Sequence, residues 1–555
     1  MEKDWWKGKV AYQIYPKSFK DSNGDGIGDL KGITQKLDYL EKLGIDILWL
    51  SPVYKSPFID QGYDISDYYA IDPLFGTMED MEELIAEGKK RGISIIMDLV
   101  VNHCSSHHEW FQKALADPDG PYADYFYFIE SDKEPNNWES YFGGSVWEPV
   151  PGTNKYYLHS FHKDQPDLNW QNPVLREEIY TMINWWLDKG IAGFRIDAII
   201  NIKKDLEWRS LPSDRANGLV PVPESLVNAQ PIEPFLQELK EQTFAKYNAF
   251  TVGEVFNETD EELHFFIGKD GVFSSIFDFK QTMLGQEGKG WFDHILPTAD
   301  ELKESIFQAH ERADSIGVLS TIIENHDEPR GVSHYIAEGP VNDTSKKALG
   351  TIQVLRKGIP FIYQGQEIGM ENQVFESVED FDDIATINGY HVAKEAGLSE
   401  EQALAVIANY SRDNARTPMQ WTAEPGLGFS DGPAWLISPK PDYSINVEDQ
   451  EKDPDSILNY YRQLTALYRH PLYGNTIRFG DMIPAYRDRE NIIAFERRGD
   501  KRLLIVSNFQ NRQASLDLPA PIETVILNNT AGLFQEGGQV LELTPYQTIV
   551  LELAE

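Results

Sequence analysis

The segment 193–200 contains a cation and a carboxylate two residues apart, Arg195 and Asp197, between apolar residues. Its first half has the alternation of a short buried strand, and residues i and i+2 of a strand point to the same face. A buried carboxylate needs a cation or hydrogen bonds to compensate for lost water. Taken alone, the pattern favours a structural ion pair, so its meaning depends on the other acids nearby.

Further acids and imidazoles follow other apolar runs of the chain. They are Asp98, Asn102, His103, Glu254, His326 and Asp327. Two carboxyl groups in different environments are the usual equipment for cleaving a glycosidic bond. Arg195 is expected to lower the pKa of Asp197, which suits a nucleophile. Apolar neighbours are expected to raise the pKa of Glu254, which suits a general acid. Asp327 is then a candidate for stabilising positive charge in the transition state.

The loop 21–29 has oxygen-bearing side chains at every second position, which is typical of a site for a hard cation such as Ca²⁺ or Mg²⁺. The candidate ligands are Asp21, Asn23, Asp25, the backbone carbonyl of Ile27, and Asp29. The twelfth position is Gly32 rather than the glutamate of an EF-hand, so the loop is not an EF-hand. The alternative is a solvated turn. Its distance in sequence from the other acids predicts a structural role for the ion.

Eight apolar runs predict the strands that must position the acids. They cover 10–15, 45–50, 93–100, the first half of 193–200, 249–254, 274–279, 320–327 and 360–365. Helical patterns at 30–43, 78–91 and 173–189 lie between strands. Strands that alternate with helices predict an α/β protein with a (β/α)8 TIM barrel. In such barrels the chemistry takes place at the carboxyl ends of the strands.

The sequence predicts four segments of domain organisation. Residues 1–103 form the first part of the barrel, and 104–172 form a small loop-rich domain inserted after strand 3. Residues 173–475 continue the barrel and include a long polar insert after strand 8. Residues 476–555 have short alternating strands and predict a C-terminal all-β domain.

The composition excludes several classes of partner. Lys and Arg number 50 against 89 Asp and Glu, which gives a formal charge of −39 and argues against nucleic acid and anionic membranes. No signal-peptide pattern or run of 18 apolar residues occurs, and the single cysteine, Cys104, cannot form an intrachain disulfide. We therefore expect a cytoplasmic enzyme, monomeric or weakly homo-oligomeric, whose partner is a small oligosaccharide.

Six short motifs give the chain a specific resemblance to glycoside hydrolase family 13, the α-amylase family, in its oligo-1,6-glucosidase and α-glucosidase subgroup. They lie at 98–103, 165–169, 193–197, 253–255, 324–327 and 411–421, and the resemblance extends from Trp5 to the C-terminus. It implies that Asp197 is the nucleophile, Glu254 the acid/base and Asp327 the transition-state stabiliser. It also implies a retaining mechanism, with the two catalytic carboxyl groups about 5–5.5 Å apart.

The resemblance also implies binding roles. Asp60 and Arg412 grip the far hydroxyls of the terminal glucose and make the action exo, Tyr63 is the platform under that sugar, and His103 and His326 bind its hydroxyls. The remaining residues that the subgroup pattern places at the substrate are Gln165, Arg195, Ala198, Phe142 and Phe161. The last two match an aromatic clamp, although each Phe by itself fits a plain core position. The loop 21–29 matches the subgroup's structural cation site.

Two positions depart from the subgroup pattern. Ala198 follows the nucleophile where members that prefer α-1,6 bonds carry Val, so a strict α-1,6 preference is not expected. Glu328 follows the stabiliser where many relatives carry a neutral residue. It either faces the leaving group's site and repels a phosphate, or is a solvated charge at the rim.

The sequence thus predicts an exo-acting retaining α-glucosidase that releases glucose from the non-reducing end of short α-glucosides. Isomalto-oligosaccharides are the leading substrates, with maltose-type sugars and sucrose as further candidates. The alternatives are a sucrose isomerase or transglucosylase, a trehalose-6-phosphate hydrolase, and a non-catalytic transporter subunit. Residues 331–335 lack the charged stretch of the isomerases, and the retained carboxylates argue against the transporter subunit.

Overall fold

Eight parallel strands form a closed barrel in the computed structural model, which describes residues 3–215, 217–256, 258–286, 290–336, 339–530 and 537–554. The strands are β1 (Ala11–Ile14), β2 (Ile47–Leu50), β3 (Ser94–Leu99), β4 (Gly193–Ile196), β5 (Phe250–Gly253), β6 (Ser275–Phe277), β7 (Leu319–Thr321) and β8 (Ile359–Tyr363). They neighbour one another in chain order around the barrel. The predicted (β/α)8 architecture is confirmed.

The seventh strand is shorter than the sequence predicts. The run 320–327 predicts a strand as far as Asp327, but β7 ends at Thr321. Side chains take over the backbone hydrogen bonding beyond that point, because Asn325 Oδ1 accepts the N–H of Asp327 at 2.7 Å. Glu324 likewise accepts the N–H of Gly331 through a side-chain oxygen. The polar residues after β7 therefore form a loop.

Helices connect the strands as the patterns indicate. The α-helices are Leu30–Gln35, Leu37–Leu43, Met78–Lys90, Glu109–Ala116, Pro173–Asp188, Val222–Ser225, Glu233–Gln242, Phe244–Tyr247, Asp260–Ile267, Ala299–Ala313, Gly331–Tyr335, Asp343–Leu355, Ile384–Glu395, Glu400–Tyr410, Asp413–Arg416, Val447–Lys452, Ile457–Leu467 and Gly474–Phe479. The helix before β4 shows how its start is specified. Asn172 accepts the N–H of Val174 at 2.9 Å, and Pro173 occupies the first helical position.

The residues group into two compact units. The first consists of Met1–Asp4, Trp49–Ala86 and Ser94–Ile276, and the second of Trp5–Leu48, Glu87–Ile93 and Phe277–Glu555. The first unit contains an antiparallel sheet of Phe128–Glu130, Lys155–Leu158 and Trp147–Pro149, within the region where the sequence indicates an insertion after strand 3. The four predicted domain boundaries remain a prediction.

The C-terminal part of the second unit is a β structure that begins after Gly474–Phe479. Its strands are β9 (Asp481–Ala485), β10 (Ile492–Arg498), β11 (Arg502–Asn508), β12 (Ala514–Asp517), β13 (Ile522–Asn528), β14 (Val540–Leu543) and β15 (Thr548–Leu553). Five of them form an antiparallel sheet in the order β9-β10-β11-β15-β13, and β12 pairs with β14. Buried aliphatic residues such as Leu504, Leu541 and Leu551 form its core. In the described part of the chain, no helix is both long and apolar enough to cross a membrane.

Candidate active site

Arg195 on β4 binds three carboxylates, and we call Asp98, Arg195, Asp197 and Glu254 the Arg195 cluster. Arg195 Nη1 donates to Asp98 Oδ1 at 2.8 Å and to Asp197 Oδ1 at 2.5 Å, and Nη2 lies 2.8 Å from Glu254 Oε1. The strands explain this arrangement. Arg195 pairs directly with Asp98 on β3, while Asp197 and Glu254 come immediately after β4 and β5. The guanidinium is 1% exposed, so the cluster is built around a buried cation.

One positive charge for three acids changes the proton affinity of the most buried acid. Burial raises the pKa of Asp98 to about 6, against the opposing effect of Arg195. Asp98 Oδ2 also accepts hydrogen bonds from Trp49 Nε1 at 3.1 Å and Tyr63 Oη at 3.0 Å. Burial by itself lowers the pKa of Arg195, but the surrounding acids hold it well above its usual value. The cation therefore stays charged while one of its partners readily takes a proton.

The contact between Arg195 and Glu254 is one that the sequence did not indicate. Glu254 has only apolar neighbours along the chain, yet it shares its cation with Asp197. Its second oxygen accepts the N–H of Ala198 at 2.7 Å. Ala198 has a left-handed backbone with φ of 43°, a conformation that turns the chain sharply after Asp197. At this turn the N–H of Ala198 points to Glu254. Asp197 and Glu254 are therefore linked through the backbone at Ala198 as well as through Arg195.

Four of the predicted binding residues of the first unit form one buried network. Gln165 Nε2 donates to Asp60 Oδ2 at 3.0 Å and lies 3.2 Å from His103 Nε2. His103 Nε2 is also 3.1 Å from the carbonyl oxygen of Tyr63. Burial lowers the pKa of His103, which keeps the imidazole neutral. A neutral imidazole beside an amide and a carboxylate offers both donors and acceptors to a sugar hydroxyl.

The predicted aromatic pair lies at the edge of this network. The ring centroids of Phe142 and Phe161 are 6.0 Å apart in an edge-to-face arrangement, and Phe161 is 5.1 Å from the His103 ring. Both Phe side chains are half-buried, so neither is a plain core residue. Tyr141, which the sequence analysis missed, stacks on Phe161 with centroids 4.7 Å apart and an interplanar angle of 17°. The local sequence does not single out Tyr141, which lies directly before the predicted Phe142.

Asp327 in the second unit is bound by two arginines, and we call Asp327, Asp383, Arg412 and Arg416 the Asp327 cluster. Asp327 Oδ1 accepts from Arg412 Nη1 and from Arg416 Nη2, each at 3.0 Å. Asp383 Oδ1 accepts from Arg412 Nε at 3.0 Å and Nη2 at 2.5 Å. The predicted binding residue Arg412 thus contacts the predicted stabiliser directly. Arg416 and Asp383 were missed as site residues.

Asp383 is a clear case of a role that the sequence does not show. Its carboxylate caps the helix Ile384–Glu395 by accepting the N–H of Thr386 at 3.0 Å, which is an ordinary structural task. Burial tends to raise its pKa, but Arg412 and Arg416 outweigh burial and lower the pKa to about 2. Asp383 is therefore ionised at neutral pH and fixes the two arginines that hold Asp327.

His326 is oriented by a hydrogen bond on each ring nitrogen. Gln13 Nε2 lies 2.8 Å from His326 Nδ1, and because the amide nitrogen can only donate, Nδ1 accepts. The ring hydrogen is then on Nε2, which is 3.1 Å from Asp327 Oδ2. The ring of Tyr15 stacks on His326 with centroids 6.0 Å apart. These contacts fix both the tautomer and the direction of the imidazole.

Comparisons with known proteins identify the family of the chain. The family model of the α-amylase catalytic domain matches residues 13–472. The chain belongs to glycoside hydrolase family 13, the α-amylase family. Within this family it is 42% identical to an oligo-1,6-glucosidase of Halalkalibacterium halodurans over 95% of both chains, and 42% identical to a glucan 1,6-alpha-glucosidase of Streptococcus pneumoniae over 100% of both. The solved isomaltulose synthase of Klebsiella sp. LX3 superimposes with a TM-score of 0.93 at 36% identity, covering 99% of each chain.

Glu328, which departs from the family pattern, is not a solvated rim charge. Its side chain is half-buried and makes no hydrogen bond or ion pair within the described residues. Burial, with a smaller contribution from Asp327, raises the pKa of Glu328 to about 8. The carboxyl group is therefore mostly neutral at pH 7, so a repelling charge develops only in alkaline solution.

The loop 21–29 folds into successive turns held by its own side chains. Asp21 Oδ1 accepts the N–H of Asn23 at 2.8 Å, Asn23 Oδ1 that of Asp25 at 2.9 Å, and Asp25 Oδ1 that of Ile27 at 2.9 Å. Asp29 Oδ1 caps the next helix. Asp21 Oδ1 also accepts the N–H of Gly24, and Asp21 Oδ2 accepts from the N–H of Gly26 and from Ser430 Oγ, so both Asp21 oxygens are engaged within the protein. The oxygen-only donor set has the chemistry that a hard cation prefers. Within the described ranges, no three acidic, His or Cys side chains gather closely enough to hold a metal. An ion here therefore needs the amide and carbonyl oxygens as well.

Proposed function

We propose that the chain is an exo-acting retaining α-glucosidase that releases glucose from the non-reducing end of short α-glucosides, with isomalto-oligosaccharides preferred. One observation carries this proposal. Asp197 and Glu254 bind adjacent terminal nitrogens of the same guanidinium, which supports the short carboxyl separation of about 5–5.5 Å that a retaining mechanism uses. The printed names of the two relatives, both 1,6-glucosidases that cover nearly the whole chain, support the linkage.

The reaction proceeds in two displacements. Asp197 attacks the anomeric carbon and forms a glucosyl ester, while the bond to the leaving oxygen breaks and Glu254 gives that oxygen its proton. Glu254 then takes a proton from water, whose oxygen attacks the anomeric carbon and releases Asp197. Arg195 keeps Asp197 ionised as nucleophile. The N–H of Ala198 fixes Glu254, so the acid does not swing away between the two steps.

The remaining family roles concern binding of the terminal glucose. Asp327 stabilises the oxocarbenium-like transition state, and Arg412 and Arg416 keep it ionised and in place. His326 Nε2 lies 3.1 Å from Asp327 Oδ2, and the family pattern assigns this imidazole to the sugar's hydroxyls. In the first unit, Asp60 and His103, held by Gln165, bind glucose hydroxyls. Gripping the far hydroxyls closes the pocket beyond one sugar, which is what makes the action exo.

The loop 21–29 holds a structural Ca²⁺ or Mg²⁺ in this proposal. The oxygen-only donor set of Asp21, Asn23, Asp25, the Ile27 carbonyl and Asp29 supports a hard cation. The ion takes no part in the chemical steps. A cytoplasmic location and a monomeric or weakly oligomeric state remain predictions from the sequence.

Sucrose isomerisation is the second candidate, because an isomaltulose synthase shares the fold over the whole chain. The same glucosyl ester would then be attacked by a sugar hydroxyl instead of water. Residues 331–335 argue for hydrolysis. They form the short helix Gly331–Tyr335 in place of the charged stretch expected of the isomerases.

The test is sugar release from isomaltose, maltose, sucrose and trehalose-6-phosphate at equal concentration, with the products separated by chromatography. Glucose formed fastest from isomaltose supports the proposal, and isomaltulose or trehalulose formed from sucrose supports the second candidate. Asp197→Ala should abolish turnover. Tyr69→Ala, a 40% exposed position on Asp67–Ile71, is the control and should keep full activity. Near-normal turnover by Asp197→Ala would contradict the mechanism.

A further inference from the structure

The segment 429–435 is fastened to the loop 21–29. Ser430 Oγ donates to Asp21 Oδ2 at 2.5 Å, and the N–H of Trp435 donates to the carbonyl oxygen of Gly26 at 3.0 Å. Gly26 has φ of 89°, and a Cβ added there would lie 1.9 Å from the carbonyl oxygen of Pro433. The two segments are packed so closely that only glycine fits between them. A shift of the loop therefore shifts the segment that carries Trp435.

Trp435 is held on three sides. Its indole Nε1 donates to Ser18 Oγ at 3.1 Å, and the ammonium of Lys17 lies 3.8 Å above the ring. On a third side it packs against Tyr15, with ring centroids 6.4 Å apart and an interplanar angle of 37°. Together with the backbone bond to Gly26, these contacts make Trp435 the link between the loop and Tyr15.

Tyr15 in turn contacts the residues that hold Asp327. Its ring stacks on His326 at 27°, and the Arg416 guanidinium lies 5.6 Å from the ring centroid. Tyr15 is 2% exposed, and its hydroxyl has no hydrogen-bond partner within the described residues. Because the hydroxyl makes no hydrogen bond within the described residues, packing against neighbouring side chains determines the position of the Tyr15 ring. Trp435 packs on one side of the Tyr15 ring, and His326 stacks on it as well.

We propose that Trp435 and Tyr15 are positioning residues that make glucose binding at His326 depend on the cation in the loop 21–29. The inference rests on the proposed function, since it takes His326 as a partner of the sugar. It extends that function by giving the loop a role in substrate binding.

The physical basis is the charge of the loop. Asp21, Asp25 and Asp29 lie within nine residues, and without a cation their like charges repel one another. Repulsion loosens the loop and weakens the anchor of Trp435 at Gly26. Tyr15 then packs less tightly, and His326 is less well oriented for a hydroxyl. Glucose affinity falls, although every group that touches the sugar is still present.

The experiment compares wild type with Trp435→Leu in calcium and after chelation. Calorimetry measures calcium and glucose affinities separately, and the part of the tryptophan fluorescence change that Trp435→Leu removes reports on this ring among the 13 tryptophans. We expect chelation to weaken glucose binding by wild type about five-fold or more, with a change in fluorescence. By linkage, glucose must raise calcium affinity by the same factor. Trp435→Leu should lose the fluorescence change and bind glucose with the same weakened affinity in both conditions.

Trp421→Leu is the matched control. Trp421 also carries a lysine above its ring, Lys36 at 3.9 Å, and its Nε1 donates to the carbonyl oxygen of Phe19 at 2.7 Å. It packs against Phe19 and Tyr39 rather than Tyr15, so this variant should keep the full calcium dependence of glucose affinity. Tyr15→Phe should also keep it, because the ring rather than the hydroxyl transmits the contact.

Ser430→Ala gives a second test that leaves both rings in place, and we expect it to reduce the calcium dependence of glucose affinity. Glucose affinity that is equal with and without calcium in wild type would overturn the inference. Full calcium dependence in a folded Trp435→Leu, or no calcium uptake by wild type, would also overturn it. Failure of the proposed function is distinguishable, because it appears as the absence of hydrolysis in the sugar panel.

Discussion

The Arg195 cluster and the Asp327 cluster both hold carboxylates in the interior of the protein. They differ in the ratio of cations to carboxylates. In the first, one guanidinium serves Asp98, Asp197 and Glu254. In the second, Arg412 and Arg416 serve two carboxylates, Asp327 and Asp383. The first cluster is short of positive charge and the second is balanced.

This difference decides which acids take a proton. Burial raises the pKa of Asp98 to about 6 despite Arg195, whereas Arg412 and Arg416 overcome burial and lower the pKa of Asp383 to about 2. A cluster that is short of cations lets its most buried acid, Asp98, take a proton. In the Asp327 cluster the two arginines keep Asp383 ionised, whereas burial and Asp383 raise the pKa of Asp413, which lies beside the cluster, to about 6.

The largest expected effect on stability comes from removing one cation from each cluster. Arg195→Met removes the cation that the three carboxylates share and should reduce the free energy of unfolding by about 3–5 kcal/mol. Arg412→Met leaves Arg416 on Asp327 and should lose only about 1–2 kcal/mol. Urea unfolding of both variants measures the difference. Equal losses would mean that the ratio of charges does not distinguish the clusters.

The two clusters should also respond oppositely to pH. The raised pKa of Asp98 stabilises the fold below about pH 4, and this contribution disappears as the pH rises through about 6. The lowered pKa of Asp383 stabilises the fold above about pH 4, and this contribution disappears as the pH falls through about 2. Each amounts to about 2–3 kcal/mol. The free energy of unfolding is measured from pH 2 to 7 for each variant. Asp98→Asn should lose the change that is due to Asp98, and Asp383→Asn should lose the change that is due to Asp383. A variant with the wild-type profile would contradict the assignment of that change to its residue.

The residue after each proposed catalytic carboxylate gives a finer comparison, beginning with Ala198 after Asp197. Ala198→Val adds bulk directly after Asp197 and should shift the ratio of isomaltose to maltose turnover by about tenfold towards isomaltose. Ala198→Gly is the control, since it relieves the left-handed backbone without adding bulk and should leave the ratio unchanged. Relative kcat/KM values for the two sugars decide the matter, and an unchanged ratio in the Val variant would assign linkage preference to other residues.

Glu328 after Asp327 should have the smallest effect. Burial raises its pKa to about 8, so it ionises beside Asp327 in alkaline solution, where Arg412 is the cation and Tyr335 the other titratable group that interact with it. Hydrolysis of isomaltose by wild type should fall a few-fold, on the order of 1 kcal/mol, between pH 7 and 9. Glu328→Gln should keep its activity over this range. An identical alkaline fall in both proteins would exclude Glu328 as the cause.

Much of the fold was predictable because its signals are local. Apolar runs separated by helical patterns predicted the eight barrel strands, and each observed strand lies within one residue of its predicted run. The exception, the end of β7, depended on side-chain hydrogen bonds such as that of Asn325, which periodicity does not reveal. The first and last residues of a strand depend on which groups form hydrogen bonds with its backbone, and those groups lie outside the strand.

The members of the candidate site could be proposed from the sequence, and the contacts between them could not. The sequence by itself determined that Asp197, Glu254 and Asp327 lie in short motifs at the strand ends where a barrel gathers its chemistry. The tertiary structure alone decided that Arg195 also binds Glu254, that Asp383 fixes Arg412, and that Trp435 reaches Tyr15. The physical reason is that the type of a side chain is a property of one residue, whereas a cation's partners and a ring's neighbours depend on packing between residues distant in the chain.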